Sequence, residues 1–148
     1  MIPFKPKIYN LKNLTEALRN KQDSVSFFDI FDKIQFGFKD IEHLCFWDPD
    51  NYSKITIEKY DDYELVLICW EKGQRSLIHN HDFDLACTYI LKGELTEEIY
   101  SRTETPILEE TIVHPQKNFS CLKKESKKNH RLINSFDGRS VSFHLNKK

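Results

Sequence analysis

The sequence predicts a mainly β domain, an antiparallel barrel or sandwich with short helices at its N-terminal end, on two observations. From about Tyr52 onward, short runs rich in Ile, Val, Leu, Thr and aromatic residues are separated by polar turns at the intervals of an antiparallel barrel. The first fifty residues instead space their apolar side chains by three and four, as helices do. With 148 residues, 39% of them hydrophobic, the chain can bury one core but is cramped for two. A single domain over 1–148 is expected, helical over 1–50 and barrel over 51–148.

The elements follow in order. Asn13 with Glu16 has the spacing of a capping box, and Leu11, Leu14 and Leu18 form an apolar stripe, so a short helix is expected to start there. A second helix is expected to open at Ser24 or Ser26 and to present Val25, Phe28, Phe31 and Ile34 to a covering surface. Tyr63 to Trp70 is apolar on both parities, the pattern of a central strand covered on both faces. Lys92-Gly93 interrupts the next run and marks a tight hairpin. The lysine-rich stretch at 123–128 reads as a solvated loop.

Composition excludes several classes of function. Lys and Arg number 22 against 23 Asp and Glu, a formal charge of -1, so there is no broad basic surface for a phosphate backbone and no nucleic-acid partner is expected. The longest apolar runs fall well short of the roughly 20 residues that cross a bilayer, so no membrane association is expected. The start MIPFKPKIYN has neither the apolar core nor the small-residue cleavage site of a secretory signal, which leaves a cytoplasmic, monomeric protein as the expectation. Cys45, Cys69, Cys87 and Cys121 are far apart, form no C-x-x-C pair and are expected to be inert buried thiols.

The chemistry concentrates in histidines. His79 and His81 stand two apart before a strand-like run, and alternation puts both imidazoles on one side of a sheet, as metal ligands require. Gly73 precedes His79 by six residues and Gly93 follows His81 by twelve, the spacing of the first cupin motif. His130 and Asn134 give the H-x3-N of the second. Together they resemble a cupin, a double-stranded β-helix or jelly-roll barrel that gathers distant histidines around one metal. The cupin glutamate four or five residues past the second histidine is missing, because Leu85 and Ala86 stand there. Three neutral imidazoles would leave open positions on ferrous iron for an anionic chelate and O2, although zinc also accepts three histidines. Asp82 and Asp84 have the wrong parity and are expected to be solvated.

From Tyr52 through Leu145 the sequence resembles the cysteine dioxygenase family of cupin-type thiol dioxygenases. The segments that carry the likeness are LVLICWEKGQRSLIHNH at 65–81, KGELTEE at 92–98, HRLIN at 130–134 and VSFHL at 141–145. The resemblance implies an Fe(II) site at His79, His81 and His130, and addition of both atoms of O2 to the sulfur of cysteine or a similar small thiol carboxylate. It also places Tyr52 and Lys54 where the family's Y-x-R holds the substrate carboxylate, with lysine replacing arginine and losing the two-toothed grip. Ser142 and His144 match the family's Ser-His-Tyr row, while Asn146 replaces the tyrosine. The cysteine that some members crosslink to that tyrosine corresponds to Ala86; Cys87, one residue on, points to the other face and cannot substitute. No crosslink is expected. His43 and His114 lie outside every match and are expected on the surface or in loops, and Cys69 and Trp70 in the core. The other reading is a non-catalytic metal-binding cupin that binds a small thiol or amino acid.

Overall fold

The computed structural model describes residues 7–80, 83–123 and 128–148. Two short helices come first. α1 spans Leu11–Arg19 and starts one turn earlier than the Asn13–Glu16 spacing suggests, because Asn10 is the cap: its side-chain oxygen accepts the Asn13 N–H at 2.8 Å, while Asn13 Oδ1 accepts the Tyr9 N–H. α2 spans Phe27–Asp32 behind Ser26, which forms a reciprocal capping box with Asp29. Its buried face is Phe27, Ile30 and Phe31, so the expected stripe is rotated and Phe28 is left half exposed. Two single 3-10 turns, Phe38–Asp40 and Glu42–Leu44, lead to the sheets.

Eight strands form two antiparallel sheets. β1 (Ser53–Lys59), β2 (Tyr63–Trp70), β3 (Leu85–Lys92), β6 (Phe119–Lys123) and β8 (Ser140–Lys147) make a five-stranded sheet in the order β1-β2-β8-β3-β6; β4 (Leu95–Tyr100), β5 (Leu108–His114) and β7 (Asn129–Ile133) make a three-stranded sheet in the order β5-β4-β7. The mainly β, two-sheet jelly-roll class expected from the sequence is what forms. β3 and β4 are joined over Gly93, at φ 69°, where a Cβ would meet Ser140 Oγ and lie 2.7 Å from the Arg139 carbonyl oxygen, so the turn needs glycine.

Period-two alternation divides the five-stranded sheet between two apolar clusters. Leu65, Leu67 and Cys69 of β2, with Phe143 and Leu145 of β8, pack under the helices against Leu14, Ile30 and Phe31. Trp70 and Ile90 turn inward to meet Leu95 and Leu132 of the other sheet. β2 is thus covered on both faces, as its unbroken apolar run requires.

The same register revises the cysteine expectation. Cys87 and Cys121 are direct partners across β3 and β6 and form a disulfide, whereas Cys45 and Cys69 remain thiols. Strand pairing brought together two residues that are 34 apart in sequence. No helix among the described residues is long and apolar enough to cross a membrane.

Candidate metal centre and its cavity

His130 lies on β7, which has β4 on one side and the extended 73–79 stretch on the other. Backbone bonds Gly73 N to Asn134 O, Ser76 N to Leu132 O and His79 N to His130 O tie that stretch down, and the His130 N–H returns a bond to the His79 carbonyl. The two histidines are therefore a directly opposed antiparallel pair, with ring centroids 4.7 Å apart. Gly73 serves this arrangement through its positive φ of 84° at the turn that starts the stretch. His81 and Asp82 lie outside the described residues. Among the described residues, no three His, Cys, Asp or Glu side chains form a metal-holding group.

Both rings are oriented through Nδ1. His79 Nδ1 is 2.6 Å from the Leu77 carbonyl oxygen, which can only accept, so the ring donates there and in its neutral form carries its lone pair on Nε2. Burial holds the His79 pKa below its ordinary value, and neighbouring His130 lowers it further, while the Leu77 bond opposes both. His130 Nδ1 donates to Glu97 Oε2 at 2.7 Å. The other oxygen of Glu97 accepts from His114 Nε2 at 2.9 Å, and His114 Nδ1 in turn accepts from Asn118 Nδ2 at 2.9 Å. Burial would raise the Glu97 pKa, but the bonds from His114 and His130 outweigh it and hold the carboxyl at about 2. A histidine whose far nitrogen is fixed by a carboxylate or a carbonyl is the arrangement that supports a metal-bound imidazole. His79 and His130 are two imidazoles of the donor type that a divalent metal takes.

Next to this pair lies a cavity of about 220 Å³ between the sheets, with Thr88, His144 and Asn146 on one wall and Glu97, His114 and His130 on the other. Ser142, His144 and Asn146 share the inward face of β8, opposite Ile90, Thr88 and Ala86. Trp70 Nε1, which can only donate, gives its hydrogen to Ser142 Oγ at 3.0 Å. Ser142 Oγ lies 2.7 Å from His144 Nε2 and can direct its own proton there. Trp70 therefore does more than fill the core. Asn134, buried completely, donates to the carbonyls of Trp70 and Gly138 and accepts from Ser140 Oγ, so it organises the turn before β8.

The remaining residues divide between the cavity and the surface. Tyr52 is half buried with its ring 4.8 Å from that of Trp70; Lys54 is exposed, opposite Ile68 on the barrel edge, and is not part of the cavity wall. His43 and Asp84 are exposed, as expected. His114 is not on the surface: it lines the cavity and its side chain is only 13% accessible. Glu97 and His114 were missed because their link runs across strands β4, β5 and β7. The available signal was Glu97's position on the inward parity of a strand, where a charge needs a partner.

The sequence matches the cysteine dioxygenase type I family over residues 13–147. The chain belongs to that family. No curated protein matches this family member in sequence. Among solved structures it is similar to TT1209 from Thermus thermophilus, at TM-score 0.60 and 17% identity over 73% of this chain and 93% of that one. A cupin superfamily protein from Desulfitobacterium hafniense aligns at TM-score 0.57 and 13% identity, over 71% and 84% of the two chains. A double-stranded β-helix protein from Klebsiella pneumoniae aligns at 0.59 and 11%, over 72% and 85%. At these identities the likeness establishes the cupin fold.

Proposed function

We propose that this cysteine dioxygenase type I family member is an iron-dependent thiol dioxygenase, converting L-cysteine or a similar small thiol carboxylate to the sulfinate (RSH + O2 → RSO2H). The observation that carries the reading is the opposed pair His79 and His130, each held through Nδ1, beside a cavity between the sheets. His79, His81 and His130 are the proposed ligands. Fe(II) held there would supply the redox chemistry that joins dioxygen to sulfur.

The chain's own groups do the rest. Glu97 and the Leu77 carbonyl fix the ligand rings, and Ile99, Leu122 and Leu132 give the cavity an apolar part. Ser142, bonded to Trp70, and Thr88, 3.5 Å from Nδ1, hold the His144 ring on the cavity wall, where a bound thiol would meet it. Tyr52 and Lys54, the positions that the resemblance gives to the substrate carboxylate, have the least geometric support, since Lys54 stands outside the wall.

Oxygen consumption by anaerobically iron-loaded protein, with cysteine and then 3-mercaptopropionate, tests the reading. Uptake matched by sulfinate is expected, and His79→Ala should abolish both uptake and stoichiometric iron binding. A His79→Ala protein with full activity would sink the assignment. Asn146, whose amide donates to Glu64 Oε1 at 3.2 Å, favours the second reading, a cupin that binds a thiol or amino acid without turning it over; measurable turnover excludes it.

A further inference from the structure

Recognising a thiol carboxylate takes a cation within reach of the metal ligands, and the cavity wall supplies one. Among the described residues that line it, Lys128 is the only lysine or arginine. It precedes His130 by two positions, just before β7 begins, and is an exposed residue on the cavity's rim. Lys128 and His130 line one cavity, so a three-carbon thiol bound at His130 shares its space with the lysine side chain. Lys128 Nζ pairs with Glu109 Oε1 at 3.0 Å, but the two side chains are 53% and 43% accessible. An ion pair that open to water is weak and exchangeable. Glu110 lies on the same wall, and its negative charge would disfavour a ligand with a carboxylate alone relative to one that also carries an ammonium group.

We propose that Lys128 is the carboxylate anchor and a specificity-determining side chain of this site, selecting thiols that carry a carboxylate over those that lack one. The proposal rests on the thiol dioxygenase reading for its ligand, and its test does not depend on turnover. The measurement is anaerobic equilibrium binding of cysteine and of 2-aminoethanethiol, which lacks the carboxylate, to the iron-loaded full chain. Wild type is compared with Lys128→Met, which keeps most of the aliphatic stem, with Lys128→Arg and with Lys54→Met; circular dichroism verifies folding. Lys128→Met is expected to weaken cysteine at least tenfold and to leave 2-aminoethanethiol within twofold, with Lys128→Arg restoring most of the loss and Lys54→Met changing neither. Equal weakening of both thiols, no change in either, or transfer of the cysteine-specific loss to Lys54→Met would overturn it. Lys128-dependent cysteine binding without O2 uptake by wild type would instead retire the catalytic reading and keep the anchor.

Discussion

Glu97→Gln is the substitution that most directly tests how the metal site is held. Both carboxylate oxygens of Glu97 accept: one from His130 Nδ1 at 2.7 Å and one from His114 Nε2 at 2.9 Å. Glutamine keeps the volume but offers one acceptor and one donor, so the two N–H groups can no longer both be satisfied. It also removes the charge that strengthens the bond to His130. Loss of such a carboxylate behind a metal-bound imidazole costs about 10- to 100-fold in metal affinity, or about 1.4 to 2.8 kcal/mol. Glu97→Ala goes further, leaving two half-buried imidazole donors unpaired at about 1–3 kcal/mol each, so folding stability should fall by roughly 2–6 kcal/mol. The assay is anaerobic Fe(II) or Co(II) titration against a competing chelator, with thermal unfolding of the metal-free proteins alongside. Glu97→Gln binding metal within threefold of wild type would refute the claim that this carboxylate holds His130 as a ligand.

Two further outcomes follow from the cysteines. Cys121→Ser removes the crosslink that holds edge strand β6 to β3; for a separation of 34 residues, the loss of loop-closure restraint predicts roughly 3–4 kcal/mol of destabilisation. Urea unfolding of wild type and variant without reductant checks this, and identical midpoints would contradict it. Burial, with Cys69 adding to it, raises the Cys45 pKa from 9.0 to about 12. A raised thiol pKa means less thiolate at a given pH below it. Iodoacetamide should therefore label Cys45 far more slowly in native than in urea-unfolded protein, by mass spectrometry, and equal rates would be a clear failure.

Much of the fold was legible because its signals are local. The unbroken apolar run of β2, the turn at Gly93 and the apolar helical stripes each lie within about ten residues, where local pattern and backbone geometry suffice. Errors came where a neighbouring contact decides. Asn10 displaces the Asn13 cap through a side-chain bond, and α2 turns Phe27 rather than Phe28 into the core. His79 and His130, which register brings together, were singled out by motif spacing, but their supports were not. Glu97, His114 and Asn118 connect through three separate segments, and Cys87 meets Cys121 only through strand register.

Two departures from the family pattern meet across that register. Ala86 and Asn146 stand where the resemblance puts a crosslinking cysteine and its tyrosine, and they are direct partners across β3 and β8. Cys87 cannot compensate, because it belongs to the opposite face and is already bonded to Cys121. Asn146 turns its amide to Glu64 at 3.2 Å, so its donor is engaged at the barrel edge. The polar work on this wall then falls to Ser142 and His144, whose alignment is set from behind by Trp70. An enzyme built this way would position its substrate by imidazole and metal ligation without a phenol, which is why turnover, rather than binding, separates the two readings of this site.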